Sequence, residues 1–455
     1  MSRILVIGAG MAAARLADGL AGHDVTLLGD EKHAPYNRIL LSAVLEGTHD
    51  TASLTLRLAD HVDLRLGSRA VEIHRGEREL ELADRSRVPY DALVLATGSI
   101  PTLPPIRGLV RIDGRLDERV HAFRSLDDCL RLDAAVPGAR RAVVVGGGLL
   151  GLQVARALAV RGLATEIVEG GDHLLRTQVD ARAGRILARG LTRLGTAVYT
   201  GARATRLTAE GLVLDNGHVL ETDLVVLTAG GRPSTALARR AGLEVRRGVV
   251  VDDELRTSDP CIHAIGDCAQ HGGRVTGFVP PAWEQAGVLA RVLDGQPATY
   301  DGSRSVARLR ATGLDVAVLG DPLNAEGDVV EVSNPVVGSH RRLVVQDGVV
   351  VAATLVGDLS RIGLITQHYD RRTALGPHEP GALLMPERTA APPVLPDDAE
   401  VCACAGVSAG AIRTCSSVED ARDRTRATTG CGGCAASVRQ LLATRPVPTL
   451  EGTRA

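Results

Sequence analysis

Aromatic residues make up only 2% of the 455-residue chain, with two Phe, five Tyr and one Trp. No core can rest on stacked rings, so Ala, Val and Leu must fill it. Lysine is nearly absent, Lys32 being the only one. Arginine carries the rest of the positive charge, and 52 basic residues against 54 acidic ones leave a formal net charge of −2. That balance lacks the basic excess of a protein that grips phosphate backbones, so nucleic acid is excluded as a partner. No apolar run approaches the roughly 18 to 20 residues needed to cross a bilayer, and Ile4-Leu5-Val6-Ile7 reads as a strand rather than an export signal. The expectation is a cytosolic (cytoplasmic) protein without membrane contact. No cysteine precedes Cys129, and five of the eight (Cys402, Cys404, Cys415, Cys431 and Cys434) fall after residue 400. Without an export signal, such clustering points to metal ligation rather than a disulfide framework.

At roughly 100–200 residues per domain the length implies two to four domains. Residues 3–29 read as strand, glycine turn, helix, strand, and the order repeats from Arg141. Each copy is followed by a short apolar strand ending in small residues, at 90–99 and 221–231. The fold class is α/β, with two Rossmann-like dinucleotide-binding domains, the second inserted in the first. A first domain over 1–125 and 246–298 and a second over 126–245 are expected. From about residue 299 to 376 short alternating strands separated by Gly and Asp turns predict a small α+β domain. Prolines spaced through 377–398 predict an extended linker without regular helix. The cysteine-rich tail, 399–445, should form its own small domain.

Gly8, Gly10 and Ala13 match the G-x-G-x-x-G/A fingerprint. The first glycine permits the tight turn, the second lets backbone approach a pyrophosphate at a helix N-terminus, and a small third residue lets helix and strand pack. The second copy is Gly146, Gly148 and Gly151. One such fingerprint is weak evidence, but two, each between strand and helix, reinforce one another. Asp30, or its neighbour Glu31, and Glu169 are the acidic residues placed to accept ribose hydroxyls. A carboxylate at Glu169 favours NADH over NADPH, although Arg176 downstream can offset this. Two dinucleotide sites in one chain imply a fixed flavin and an exchanging nicotinamide.

The ordered motifs Ala96-Thr97-Gly98, Ala229-Gly230-Gly231-Arg232-Pro233 and Ala264-Ile265-Gly266-Asp267 complete a pattern over residues 1 to about 295. It resembles the two-dinucleotide-domain flavoproteins of the pyridine nucleotide-disulfide reductase superfamily. The resemblance implies FAD at the first fingerprint, NAD(P)H at the second, and an Asp267 that bonds the flavin ribityl chain. Pro35-Tyr36-Asn37-Arg38 with Leu40-Leu41-Ser42 is similar to the stretch in rubredoxin-reductase-like and nitrite-reductase-associated members, in which Arg38 is a candidate for the FAD pyrophosphate. Disulfide reductases carry reactive cysteine in this region and this chain has none, which disfavours thiol chemistry. Pro281-Ala282-Trp283-Glu284 also matches the subgroup, making Trp283 either a neighbour of the flavin ring or core filler. Gln153 stands where relatives usually have Glu, and an amide can still hydrogen-bond a carboxamide. No side-chain acid or base is assigned to catalysis.

Cys402 and Cys404 in a C-x-C pair, then Cys431 and Cys434 in a C-x-x-C pair, offer four thiolates among small residues that let amides turn toward sulfur. The pattern resembles the [2Fe-2S] domain of bacterioferritin-associated ferredoxin, although the interval between the pairs is shorter than usual there. A structural zinc site is the alternative use of four thiolates. Cys415 reads as a small buried hydrophobe.

The whole chain resembles the NADH-binding half of assimilatory nitrite reductase and the electron-transfer subunit of assimilatory nitrate reductase. The implied function is an oxidoreductase taking electrons from NADH, with NADPH as the alternative, through FAD and a [2Fe-2S] cluster. The electrons would go to a partner nitrate or nitrite reductase. A sirohaem domain expected after the tail is not in the sequence, so a separate reductase should accept the electrons. Two alternatives are a ferredoxin or rubredoxin reductase acting on a small redox carrier, and a tail that docks on an iron-storage protein.

Overall fold

The computed structural model describes residues 1–385, 395–430 and 432–443. It divides into two compact units, residues 1–387 and 388–455.

In the first unit, Arg3–Ile7 forms a strand whose Ile4, Leu5, Val6 and Ile7 are all buried. A continuous apolar run of this kind marks a parallel strand covered on both faces. It pairs with Asp24–Leu28 on one side and Ala92–Leu95 on the other, in a five-stranded parallel sheet completed by Val62–Arg65 and Ile262–Ala264. The chain leaves the first strand toward one neighbour and later returns on the other side. That reversal opens a crevice beyond the carboxyl end of Arg3–Ile7, where Gly8 lies. The second sheet repeats the plan with Arg141–Val145 between Ala164–Glu169 and Leu224–Leu227, flanked by Thr196–Thr200 and Val120–Ala122. As the composition requires, both cores are mostly aliphatic, with Tyr90 and Phe123 the aromatic exceptions among the largest fully buried side chains.

The two crossings between these folds are the strands Ser99–Pro101 and Gly231–Pro233, which pair antiparallel. Boundaries expected at 125 and 245 fall further along the chain than this. Val120–Ala122 joins the second sheet, and Leu237, Ala238 and Leu243 pack in the first core. Both segments are too short for periodicity to assign them to a fold.

An antiparallel five-stranded sheet, ordered Val306–Ala311, Leu314–Leu319, Val349–Val356, Ser339–Gln346, Asp328–Asn334, forms the third part. The stretch expected to lack helix from 377 begins with one, Glu379–Leu384. Pro380 sits in its first turn, where a missing N–H costs nothing, and Leu383 and Leu384 are buried in the core beside the sheet. Pro386, Pro392 and Pro393 lie outside the described residues.

In the second unit, strand Glu400–Cys402 pairs with Val407–Ser408, followed by helices Ala409–Arg413, Val418–Thr425 and Ala435–Ala443. Ser408 and Ser417 cap the first two helices through their side chains. Among the described residues no helix is long and apolar enough to cross a membrane.

Candidate functional site

The first glycine turn is closed by the amide of Gly8, which donates to Leu28 O at 2.8 Å. Gly8 has φ +109°, and a Cβ there would collide with Ala96 O, so the Ala96-Thr97-Gly98 segment passes directly over the turn. Gly10 differs: its φ is −92°, and a Cβ would meet nothing within 4 Å. Its openness leaves room above the N-terminus of helix Met11–Asp18, which has no side-chain cap. Helices Leu126–Ala135 and Ala181–Arg193, by contrast, are capped by Ser125 and Asp180. Uncapped amides beside open space suit a phosphate. Ala13 is fully buried against the sheet, and Asp30 stands exposed past the end of Asp24–Leu28.

Gly266, at φ +75°, donates its amide to Gln285 Oε1 at 2.7 Å and brings Asp267 to the same crevice. Asp267 Oδ2 accepts from Ser99 Oγ at 3.0 Å and Arg124 at 2.6 Å, and Arg124 also reaches Ser99. Arg124 Nε is buried without a hydrogen-bond partner. A buried orphan donor next to an open glycine cradle is what a polar, phosphate-bearing cofactor would satisfy. Arg38 is held by Glu31 Oε1 at 2.6 Å and Arg124 O at 3.0 Å, while Tyr36 donates to Glu31 Oε2 at 2.7 Å. Glu31 thus braces the loop and Asp30 is left facing solvent. Trp283 is buried on helix Val279–Leu293 and donates its indole N–H to Met11 O at 3.2 Å, anchoring the start of the fingerprint helix. Ser99 and Arg124 escaped sequence reasoning, because Arg124 lies 143 residues from Asp267 and outside every motif.

The second turn repeats the geometry. Gly146, at φ +118°, passes under Thr228 O, and Gly148 is an uncapped helix start with nothing within 4 Å of a Cβ. At Gly151 a Cβ would collide with Gly146 O, so this copy cannot accept the Ala that serves in the first. Glu169 ends its strand as expected, but both oxygens are engaged: Oε2 accepts from Gly147 N at 2.8 Å and Oε1 from Gly171 N at 2.7 Å. Gln153 is buried on helix Leu149–Val160. Gly230 lies at φ +95°, beside the strand that begins at Gly231.

In the second unit Cys402, Cys404 and Cys434 are all buried and free of disulfides. Cys404 and then Cys434 hydrogen-bond Cys402 and pull its thiol well below the usual thiol range, against the opposing effect of burial and with help from the amides of Thr428 and Ala405. Cys434 Sγ accepts the Thr428 amide at 3.2 Å. Cys402 meets both other sulfurs, and Cys402 and Cys434 receive backbone N–H groups, which fits a thiolate-held iron-sulfur cluster. Cys431 lies outside the described residues. Cys415 is fully buried and donates to Ala411 O at 3.4 Å.

Residues 2–286 match a family model described as pyridine nucleotide-disulphide oxidoreductase, and residues 400–444 match one for the BFD-like [2Fe-2S] binding domain. The chain is 32% identical over 467 residues to the nitrite reductase [NAD(P)H] of Bacillus subtilis (strain 168), covering 97% of this chain and 57% of that protein. It is 31% identical over 475 residues to the assimilatory nitrate reductase electron transfer subunit of the same organism, covering 97% and 59%. It therefore spans a little over half the length of these curated relatives. Among solved structures, a ferredoxin reductase from Rhodopseudomonas palustris is similar with a TM-score of 0.74 and 28% identity, over 82% of this chain and 96% of that one.

Proposed function

The chain belongs to the pyridine nucleotide-disulphide oxidoreductase family and is an NAD(P)H-dependent flavoprotein with a BFD-like [2Fe-2S] domain, and from that premise we propose that it is an electron-transfer component of nitrate or nitrite assimilation. It takes a hydride from NADH and hands the two electrons on singly, through the second unit, to the catalytic part of a nitrate or nitrite reductase. Bound FAD supplies the conversion between two-electron and one-electron chemistry.

The chain's own residues hold, orient and insulate. Gly8, Gly10 and the uncapped helix at Met11 receive the FAD pyrophosphate, with Ala13 allowing the close approach and Asp30 accepting ribose hydroxyls. Asp267 accepts from the ribityl chain, its carboxylate held in place by Ser99 and Arg124. Arg38 lends positive charge, and Thr97, Gly98 and Trp283 frame the crevice. Gly146, Gly148, Gly151, Gly230 and Gly231 shape the coenzyme site and Glu169 accepts its ribose. Cys402, Cys404, Cys431 and Cys434 ligate the cluster. The FAD fold comprises residues before about 100 and from about 234 to 298, with the coenzyme fold between.

The observation that carries this reading is the contact of Cys402 with both Cys404 and Cys434 in the same chain as two uncapped glycine turns. A dehydrogenase working on small molecules has no use for a one-electron outlet. The likeness to a ferredoxin reductase favours a second reading, in which a small redox carrier takes the electrons. A cytosolic location goes with either acceptor. The test is to mix purified chain and NADH with candidate acceptors. Faster turnover with the nitrate or nitrite reductase than with ferredoxin or rubredoxin supports the first reading, and the reverse order refutes it.

A further inference from the structure

Helix Leu149–Val160 starts at the Gly148 turn and carries Gln153 and Arg156 three positions apart, hence on one face. Arg156 is only 6% exposed, and its guanidinium is bonded to two carbonyls rather than to a carboxylate. Nε donates to Thr312 O at 3.0 Å, in the turn between Val306–Ala311 and Leu314–Leu319. Nη1 donates to Leu194 O at 3.0 Å, at the end of helix Ala181–Arg193. Burial pushes the guanidinium below its ordinary value, and the Glu46 carboxylate opposes that shift. Thr312 donates its hydroxyl to the same Glu46.

Glu46 ends helix Leu41–Glu46, which continues directly from the turn Arg38–Leu40. Arg38 is bonded to Arg124 O, and Arg124 holds Asp267, so this helical run begins in the flavin crevice. Arg161, at the far end of Leu149–Val160, donates to Leu45 O at 2.8 Å and to Asp133 Oδ1 at 2.7 Å. Leu41 and Leu45 share one buried cluster with Val154, Ala157 and Leu158. Apolar burial is non-directional and leaves one helix free to slide along the other. The arginine bonds to fixed carbonyls remove that freedom. Each helix starts at a cofactor turn, so their register sets how far the flavin crevice lies from the coenzyme.

We propose that Arg156 is a positioning residue, which locks helix Leu149–Val160 against Leu41–Glu46 and the Thr312 turn and so fixes the nicotinamide against the flavin for hydride transfer. The hydride carries two electrons and one proton from NADH to FAD, leaving NAD+ and reduced flavin, and Arg156 touches neither. Transfer is sensitive to approach, a misplacement of about 1 Å costing on the order of a hundredfold, whereas coenzyme affinity comes from the Gly146–Gly151 turn. This role rests on the assignment of FAD and coenzyme to the two glycine turns. It does not depend on which acceptor takes the electrons.

The test uses the full, FAD-loaded chain. In Arg156→Gln the limiting rate of flavin reduction at saturating NADH should fall about tenfold in stopped flow. The Kd for NAD+ should stay within about twofold, a split that damage to the coenzyme site would not give. Without turnover, the long-wavelength charge-transfer absorbance of the reduced chain mixed with NAD+, which reports nicotinamide stacked on flavin, should weaken in the same variant. Arg156→Lys should recover part of both signals, since an ammonium can reach one of the two carbonyls. If Arg156→Gln failed to hold FAD, Arg161→Gln, which removes only the bonds to Leu45 and Asp133, should show the same split at about threefold. An unchanged limiting rate with unchanged charge-transfer absorbance, or a loss confined to NAD+ affinity, would overturn the role of Arg156. If NADH did not bleach the wild-type flavin, the cofactor assignment itself would fall and this role with it. Failure of nitrate or nitrite reductase to accept electrons would touch only the proposed function.

Discussion

The backbone amide of Thr428 donates to Cys434 Sγ at 3.2 Å from a left-handed conformation, φ +70°. A β-branched residue adopts that conformation only when its surroundings impose it. Arg426, two residues earlier, is also left-handed at φ +59°. The turn before the second cysteine pair therefore stores strain in order to aim an N–H at sulfur, a use that matches a thiolate ligand rather than a buried thiol.

Cluster removal follows from this geometry. Cys434→Ser should abolish the [2Fe-2S] absorbance and the about two irons per chain that such a cluster requires. NADH should still bleach the flavin, because the hydride site is built from residues of the other unit. Elemental analysis of the wild type showing zinc without iron would contradict the cluster.

Substitution of the glycines separates cofactor space from packing. Gly10→Ala and Gly148→Ala should fold normally, since both positions have backbone angles any residue adopts and open space around a Cβ. They should weaken FAD and NAD(P)H binding respectively. Gly151→Ala should instead lower the thermal midpoint, because overpacking against Gly146 O costs about 1–3 kcal/mol. Cofactor titrations beside melting curves distinguish the two classes.

Asp267→Asn should reduce FAD occupancy, with the loss visible as a lower flavin-to-protein absorbance ratio. The substitution removes the charge that Arg124 and Ser99 hold in place, and it leaves a guanidinium in the crevice without its carboxylate. A fully loaded variant would contradict the ribityl role of Asp267.

The acid limb of stability should depend on Asp180. Burial opposes ionisation there, but the bonds from His340 and from the Ala183 and Arg182 amides outweigh it and hold the carboxyl below its ordinary value. A lowered folded pKa contributes stability that is present above the unfolded value of about 3.9 and is lost as pH falls through the folded value. Asp180→Asn keeps a capping oxygen and removes this charge. Its thermal midpoint should be roughly 2–4 °C lower at pH 7 and should converge on the wild type toward pH 2. A constant offset across the range would contradict the assignment.

Much of the fold was legible because fingerprints and continuous apolar runs are local signals. Gly8, Gly10 and Ala13 announce a turn whatever lies elsewhere, and Ile4 to Ile7 announce a doubly covered strand. The domain crossings were not legible. Val120–Ala122 is too short to show which sheet it joins, and Leu237 and Ala238 show no pattern that returns them to the first core. Pro380 was misleading as a helix breaker, since only position within the helix decides its effect. In the candidate site, motifs mark Asp267 and Glu169 as candidates, but they do not reveal the partners that engage these carboxylates. Arg124 reaches Asp267 across the chain, and the commitment of Glu169 to Gly147 and Gly171 is a property of loop geometry.

The proposed route has electrons enter at the coenzyme site and leave through the cysteine-ligated unit. The direct measurement is NADH-driven nitrate or nitrite reduction after mixing the chain with the catalytic reductase, comparing wild type with Cys434→Ser and using a small dye as a control acceptor. The variant should lose nitrate or nitrite reduction and keep dye reduction, since a dye can take electrons directly from the flavin. Undiminished nitrate or nitrite reduction by Cys434→Ser would contradict it and make the flavin itself the outlet.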